Sequence, residues 1–197
     1  LDSSLTLAGL QQDLAGRQIL DGNFALAART FATTTAASSQ LGTDPFVTHI
    51  VDCHDCDHET YAQAPWTHAS VAARLAELEK QAGGKGDKAA SAALALGTAL
   101  YNLTWYGNAR VFLDGTHQAT RDTAAAERWY KRAHDLATSR ELKAQAAFYA
   151  AKAELPGLEA ERNQHVKYFD VEPERKQCHL THDGVTEAQR VAGIGSF

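Results

Sequence analysis

Residues 88–112 read KAASAALALGTALYNLTWYGNARVF, and this stretch decides the fold. Leu94, Leu96, Leu100, Tyr101, Leu103, Trp105 and Tyr106 fall on several faces of one helix. Such a pattern predicts a long helix packed between neighbours rather than lying at an edge. The four prolines stand at 45, 65, 156 and 173, so Trp66 to Leu155 is free of them. Ala makes up about a fifth of the chain. Alanine has the best intrinsic helix propensity and proline the worst, so the whole chain reads as helical.

Working outward, Gly83-Gly84-Lys85-Gly86-Asp87 stops the preceding helix, Thr67 to Gln81, whose buried stripe is Val71, Leu75 and Leu78. Two earlier helices are expected. One starts near Ser3 or Ser4, carries Leu5, Leu7, Leu10 and Leu14, and breaks at Asp21-Gly22. The other runs from Phe24 to Ala37, with Phe24, Ala27, Ala28 and Phe31 on its apolar side. Downstream, Thr123–Ala137 is helical. Thr138-Ser139-Arg140-Glu141 reads as a capping box for a helix ending at Glu154, before Pro156-Gly157. Leu158–Tyr168 and Pro173–His182 give two shorter helices. The result is an all-α chain of about eight helices, with short gaps that make neighbours antiparallel. It divides into a first helix pair (1–38), an irregular Cys/His-rich loop (39–65), central helices (66–156) and C-terminal helices with a tail (157–197), all within one continuous domain.

With 197 residues, 44% hydrophobic and 22% charged, the chain is an ordinary globular one that can bury a core without disulfides. A net charge of −5 argues against a nucleic-acid surface, which needs a basic stripe. No apolar run reaches the length of a membrane span. The chain opens at Leu1 with no basic and apolar leader, which points to a processed protein or a piece of a longer one.

Internal repetition is the next signal. Leu14-Ala15, Gly22, Phe24, Ala27, Phe31 and Thr34 follow one another in the order of a tetratricopeptide repeat. Ala126, Tyr130 and Ala133 have the small–aromatic–small spacing of that repeat's second helix, with Leu96-Gly97 and Leu100 in its first. The chain therefore resembles tetratricopeptide-repeat proteins, across about half its length, although Tyr101 to Arg121 lengthens the second unit. The resemblance implies antiparallel helix pairs stacked as a short α-solenoid that binds a protein or peptide partner. Together with Asp52–Asp57 and Tyr101–Asn108, it is more loosely similar to repeat-containing bacterial cell-envelope proteins of unassigned function, which implies an exported setting and a larger parent.

The three cysteines are concentrated in two places. Asp52-Cys53-His54-Asp55-Cys56-Asp57-His58 packs thiols, imidazoles and carboxylates together, and Cys178-His179-Leu180-Thr181-His182 puts Cys178 and His182 on one face if helical. Cys53, Cys56, Cys178 and His182 supply the ligand inventory of a tetrahedral structural zinc site, with His179, His54 or His58 as substitutes. Zinc would also offset the entropy of ordering a loop of about 25 residues. A Cys53–Cys56 disulfide, or either residue paired with Cys178, suits an exported protein equally well. Free, partly buried thiols are the plain alternative. Haem attachment fails because Asp57 stands where histidine is needed, and a thioredoxin-like pair lacks its βαβ context.

Nucleophile, phosphate-loop and metalloprotease motifs are missing, so no enzyme is expected. Gly83–Gly86 reads as a helix connector, and His68, His117, His134 and His165 have no recognisable spacing. Asn102, Trp105, Tyr106, Asn108 and Arg110 are the partner-binding candidates. As a groove, their amides would bind a peptide backbone while the aromatics grip side chains; as core, the same aromatics would simply be buried. The expected function is a non-enzymatic interaction or scaffold module. A metal-binding protein centred on the Cys/His cluster and a self-assembling structural subunit are the alternatives.

Overall fold

The computed structural model describes residues 6–34, 40–48, 64–113 and 120–166, with backbone alone for 156–166. Among these residues there are six α-helices and one 3-10 turn. The only extended pairing among them is an isolated antiparallel bridge between Gln40 and Thr67. The all-α class therefore holds among the described residues, with six helices there; the expected helix at Pro173–His182 lies outside them.

Helix α1, Leu7–Leu20, starts where the Thr6 hydroxyl accepts from Gly9 N at 3.1 Å. Its buried side is Ala15, Gly16, Gln18 and Ile19. Leu7, Leu10 and Leu14 point outward, so the leucine spacing marks the exposed face rather than the core. Helix α2, Phe24–Ala32, buries Phe24, Ala27 and Phe31. It ends short of Ala37 because Thr33 and Thr34 turn their hydroxyls back onto the carbonyls of Thr30 and Phe31, each at 2.8 Å. Such local bonds compete with the helical ladder.

Helix α3, His68–Ala82, follows its expected stripe, with Val71, Leu75 and Leu78 buried. Thr67 and Ser70 cap it reciprocally, each side chain serving the other's backbone N–H. Helix α4, Gly86–Asn102, is buried along nearly its whole length. It stops at Asn102, not Phe112. The chain then makes a compact turn to a 3-10 segment, Arg110–Leu113.

Helices α5, Ala124–Leu136, and α6, Arg140–Val166, complete the array. The expected capping box at Thr138 is replaced by a long-range cap. The Asp87 carboxylate, from the first turn of α4, accepts from Thr138 N (2.6 Å), Ser139 N (3.1 Å) and the Thr138 hydroxyl (2.8 Å). These donors hold the Asp87 carboxyl below its ordinary pKa. Helix α6 also continues through Pro156-Gly157, where a break was expected. Proline removes one rung of the ladder, but Leu158-Glu159-Ala160-Glu161-Arg162 beyond it are strong helix formers.

Each helix packs on its neighbours in chain order, and α4 also touches α6. One continuous set of buried apolar side chains runs from Ala15 in α1 to Ala153 in α6. The tightest crossing is α4 on α5. A Cβ on Gly97 would lie 2.8 Å from Tyr130 Cδ1 and 3.2 Å from the Ala126 carbonyl oxygen. Tyr130 fills the space beside that glycine, flanked by the fully buried Ala133 and Ala126. No described helix is long and apolar enough to cross a membrane.

Candidate functional site

The site grows from the turn that ends α4. Thr104 donates its hydroxyl to the Tyr101 carbonyl (2.7 Å) and accepts from Tyr106 N (3.3 Å). The Asn102 carbonyl takes Ala109 N at 2.9 Å, which folds the chain back on the helix end. Gly107 sits against the backbone of Asn102 so closely that any Cβ would overlap it. Backbone contact of this kind admits no side chain, and the turn is built around it.

This turn sorts the five partner-binding candidates into two groups. Asn102 is fully buried, and its amide nitrogen donates to the carbonyls of Pro45 (2.9 Å) and Val47 (3.0 Å). Asn108, also buried, donates to the Asp44 carbonyl at 3.1 Å. Both amide nitrogens are thus engaged by the 44–47 turn, and both amide oxygens are buried with no partner among the described residues. Tyr106 is buried as well. Trp105, by contrast, is 42% exposed, and Arg110 is half-buried beside it.

The amides of Asn102 and Asn108 close one side of a neck. Asp44 Oδ1 accepts from Phe46 N and from the Trp66 indole, both at 2.9 Å. The Phe46 and Trp66 rings meet at 4.9 Å, and Leu41 N donates to the Trp66 carbonyl at 2.7 Å. Residues 40–48 and 64–67 are therefore tied to each other and to the end of α4. Cys53, Cys56, His54 and His58 lie between them, outside the described residues, as do Cys178, His179 and His182. Among the described residues, no group of three or more His, Cys, Asp or Glu side chains is placed to hold a metal ion.

The outward half of the turn has its own geometry. The Arg110 guanidinium lies 5.1 Å from the centroid of the Trp105 ring, and that of Arg121 lies 5.2 Å from it. Stacking on indole holds a planar guanidinium in place while leaving its N–H fork free for a carboxylate or phosphate. Val111, half exposed, extends the apolar part of this surface. Arg121 had no sequence signal, since it follows no periodic stripe and its partner lies sixteen positions back in the chain.

The chain neighbours of Trp105 and Arg121 line a cavity of about 150 Å³. Its apolar walls include Ile19, Leu100, Leu103 and Leu113, with Thr104, Thr120 and Asp122 as the polar members. Trp105 N donates to the Thr120 carbonyl at 2.9 Å, so the segments carrying the stack also wall the cavity.

Two other buried polar groups stand outside this site. His68 is sandwiched near Phe31 and Phe112, with ring centroids 5.5 and 4.6 Å away. Its Nε2 donates to the Phe112 carbonyl at 3.1 Å, and its Nδ1 has no partner among the described residues. Burial pushes its pKa below the ordinary value, against the smaller opposing pull of the Phe112 carbonyl. Lys152 is buried in α6 with its ammonium 5.5 Å from the Tyr101 ring centroid.

No protein-family model, curated protein or solved structure matches the chain.

Proposed function

We propose that this protein is a non-enzymatic interaction module that docks a partner segment on the surface around Trp105. The observation that carries the reading is the exposed indole with two guanidinium groups over its ring. Trp and Arg are the side chains most enriched among the residues that dominate binding energy. Here they are pre-ordered, which lowers the entropy lost on binding. A tetratricopeptide-like stacking of the helices is part of the same reading. It is supported by the chain-order packing and by the Gly97–Tyr130 approach between α4 and α5. An exported, cell-envelope setting rests on the resemblance alone.

The test is a displayed random-peptide library, panned against the protein and against a Trp105→Ala variant matched for circular dichroism and melting temperature. The expected result is a set of peptides that bind the parent and lose at least tenfold in affinity for the variant. Peptides that bind both equally, or no enrichment at all, would overturn the assignment.

A second reading, self-assembly, is favoured by the outer face of α1. Leu7, Leu10 and Leu14 repeat at helical spacing there and are all at least half exposed. A helical array normally carries a polar outer face at its ends, so this one suits a second copy of the chain. Light scattering across concentrations should show dimers that Leu10→Lys disperses. A strict monomer at high concentration removes this reading.

A structural zinc held by Cys53, Cys56, Cys178 and His182 is the third. It is supported by the ties of Trp66 to Asp44 and of Thr67 to Gln40, which join the described chain on either side of the Cys/His segment. Metal analysis of the purified protein decides it. One tightly held zinc per chain supports it, and metal-free protein with oxidised thiols replaces it with a disulfide.

A further inference from the structure

We infer that the partner segment is acidic, with carboxylates seated on Arg110 and Arg121 and one apolar side chain inserted into the adjoining cavity. The inference rests on the interaction reading above and deepens it by naming the chemistry of the partner.

Charge points to the carboxylates. The chain as a whole carries −5, yet residues 110–132 hold five basic side chains (Arg110, Arg121, Arg128, Lys131 and Arg132) against three acidic ones. Of the opposing charges, Glu127 pairs with Lys131 one turn along α5, and the Asp122 carboxylate is turned to Ala124 N at 2.8 Å at the start of that helix. Arg110 and Arg121 have the indole as their described partner, and their forks suit planar, bidentate acceptors.

Shape points to the apolar anchor. A space of about 150 Å³ suits a single aliphatic or small aromatic side chain. Leu100, Leu103 and Leu113 give it an apolar wall. The polar members are engaged within the protein: Thr104 bonds the Tyr101 carbonyl, and Thr120 Oγ1 accepts from Asp122 N at 3.0 Å. What is left unsatisfied is apolar surface, which an apolar side chain covers at least cost. The stack and the cavity share the backbone of residues 104–105 and 120–122, so one short segment can reach both.

A single-stranded nucleic acid would use the same two residue types differently, by stacking bases on the indole. The guanidinium groups over the ring already occupy that position, so carboxylates are the better match.

The peptide library of the preceding section tests this separately from the interaction reading. The Trp105-dependent peptides should share two or more Asp or Glu around one Leu, Ile, Val or Phe. A synthetic copy of the tightest one, labelled and followed by fluorescence anisotropy, should lose at least tenfold in affinity to Arg110→Glu/Arg121→Glu. It should lose as much when its apolar residue is replaced by Ser, and it should weaken steadily with added salt. Trp105-dependent peptides without acidic bias, or equal binding to the double variant at unchanged melting temperature, would overturn the acidic partner while leaving the interaction module standing. Equal or tighter binding of a labelled dT12 oligonucleotide would overturn it in favour of nucleic acid.

Discussion

Gly97→Ala is the substitution whose sign tests the fold most directly. Alone in a helix, the change is favourable by about 1 kcal/mol, because glycine in a helix interior loses more backbone freedom than alanine. In α4 a Cβ at position 97 would lie 2.8 and 2.9 Å from two ring carbons of Tyr130 and 3.2 Å from the Ala126 carbonyl oxygen. Ordinary van der Waals contact is about 3.5–4.0 Å. The ring has little freedom to move. Tyr130 is buried, its hydroxyl reaches Thr98 Oγ1 at 3.4 Å, and its other side stacks on Tyr149 at 5.5 Å. The Ala126 oxygen belongs to the backbone of α5, so relief requires the two helices to part. Overpacking of this kind costs about 1–3 kcal/mol. Set against the propensity gain, the variant should be less stable by up to about 2 kcal/mol. That corresponds to a melting temperature lower by up to roughly 8 °C in a chain this long. Urea unfolding measures it, and Gly97→Ala/Tyr130→Leu should recover part of the loss by opening space. A Gly97→Ala variant more stable than the parent would refute the close approach, and with it the main structural support for the tetratricopeptide-like reading.

Other expectations follow from the same contacts. Asn102→Ala removes the donor from the carbonyls of Pro45 and Val47; leaving buried acceptors unmet should cost about 2–4 kcal/mol by urea unfolding, and a loss under about 1 kcal/mol would contradict the clamp. His68 has a folded pKa below that of the unfolded chain, so the unfolded state takes the proton first; its contribution is complete above about pH 6.5 and is lost as pH falls below it. Proton NMR should accordingly find the His68 ring titrating below about 6.5, and a value at or above that refutes its desolvation. Asp87, also held below its ordinary value by Thr138 and Ser139, contributes stability that is present above about pH 4 and is lost on further acidification. Asp87→Ala should therefore melt lower at neutral pH and lose less than the parent between about pH 5 and 3; parallel melting curves would remove the long-range cap.

What could be read from the sequence was what depends on short spacing. Val71, Leu75 and Leu78 are neighbours on one helix face whatever surrounds them, and they are buried as the period requires. Ala126, Tyr130 and Ala133 are the same case, and their burial against α4 follows from size as well as spacing. The leucines of α1 show where periodicity stops helping. Leu7, Leu10 and Leu14 have the spacing of a buried stripe, but the helix buries Ala15, Gly16 and Ile19 instead, with Gly16 close to Leu113. Small residues permit the closer approach, so packing distance rather than hydrophobicity chose the inward face.

The eight residues Tyr101–Asn108 fail for a different reason. Read as one helix, they offer Asn102, Trp105, Tyr106 and Asn108 as members of a single recognition surface. The amides have partners at Asp44, Pro45 and Val47, more than fifty positions away, and no local pattern encodes a contact of that range. Gly107 is the residue that separates the group. Its lack of a side chain lets the chain close on Asn102, which ends α4, turns both amides inward and leaves Trp105 outside. Arg110 and Arg121 then find the indole from opposite ends of the sequence that follows. The composition of the proposed binding surface was therefore legible in residues 101–110, but its membership was not. Two amides leave it for the neck of the Cys/His segment, and one arginine beyond the turn joins it. Replacing Gly107 should for that reason disturb the neck and the Trp105 surface together, whereas Trp105→Ala should disturb only the second.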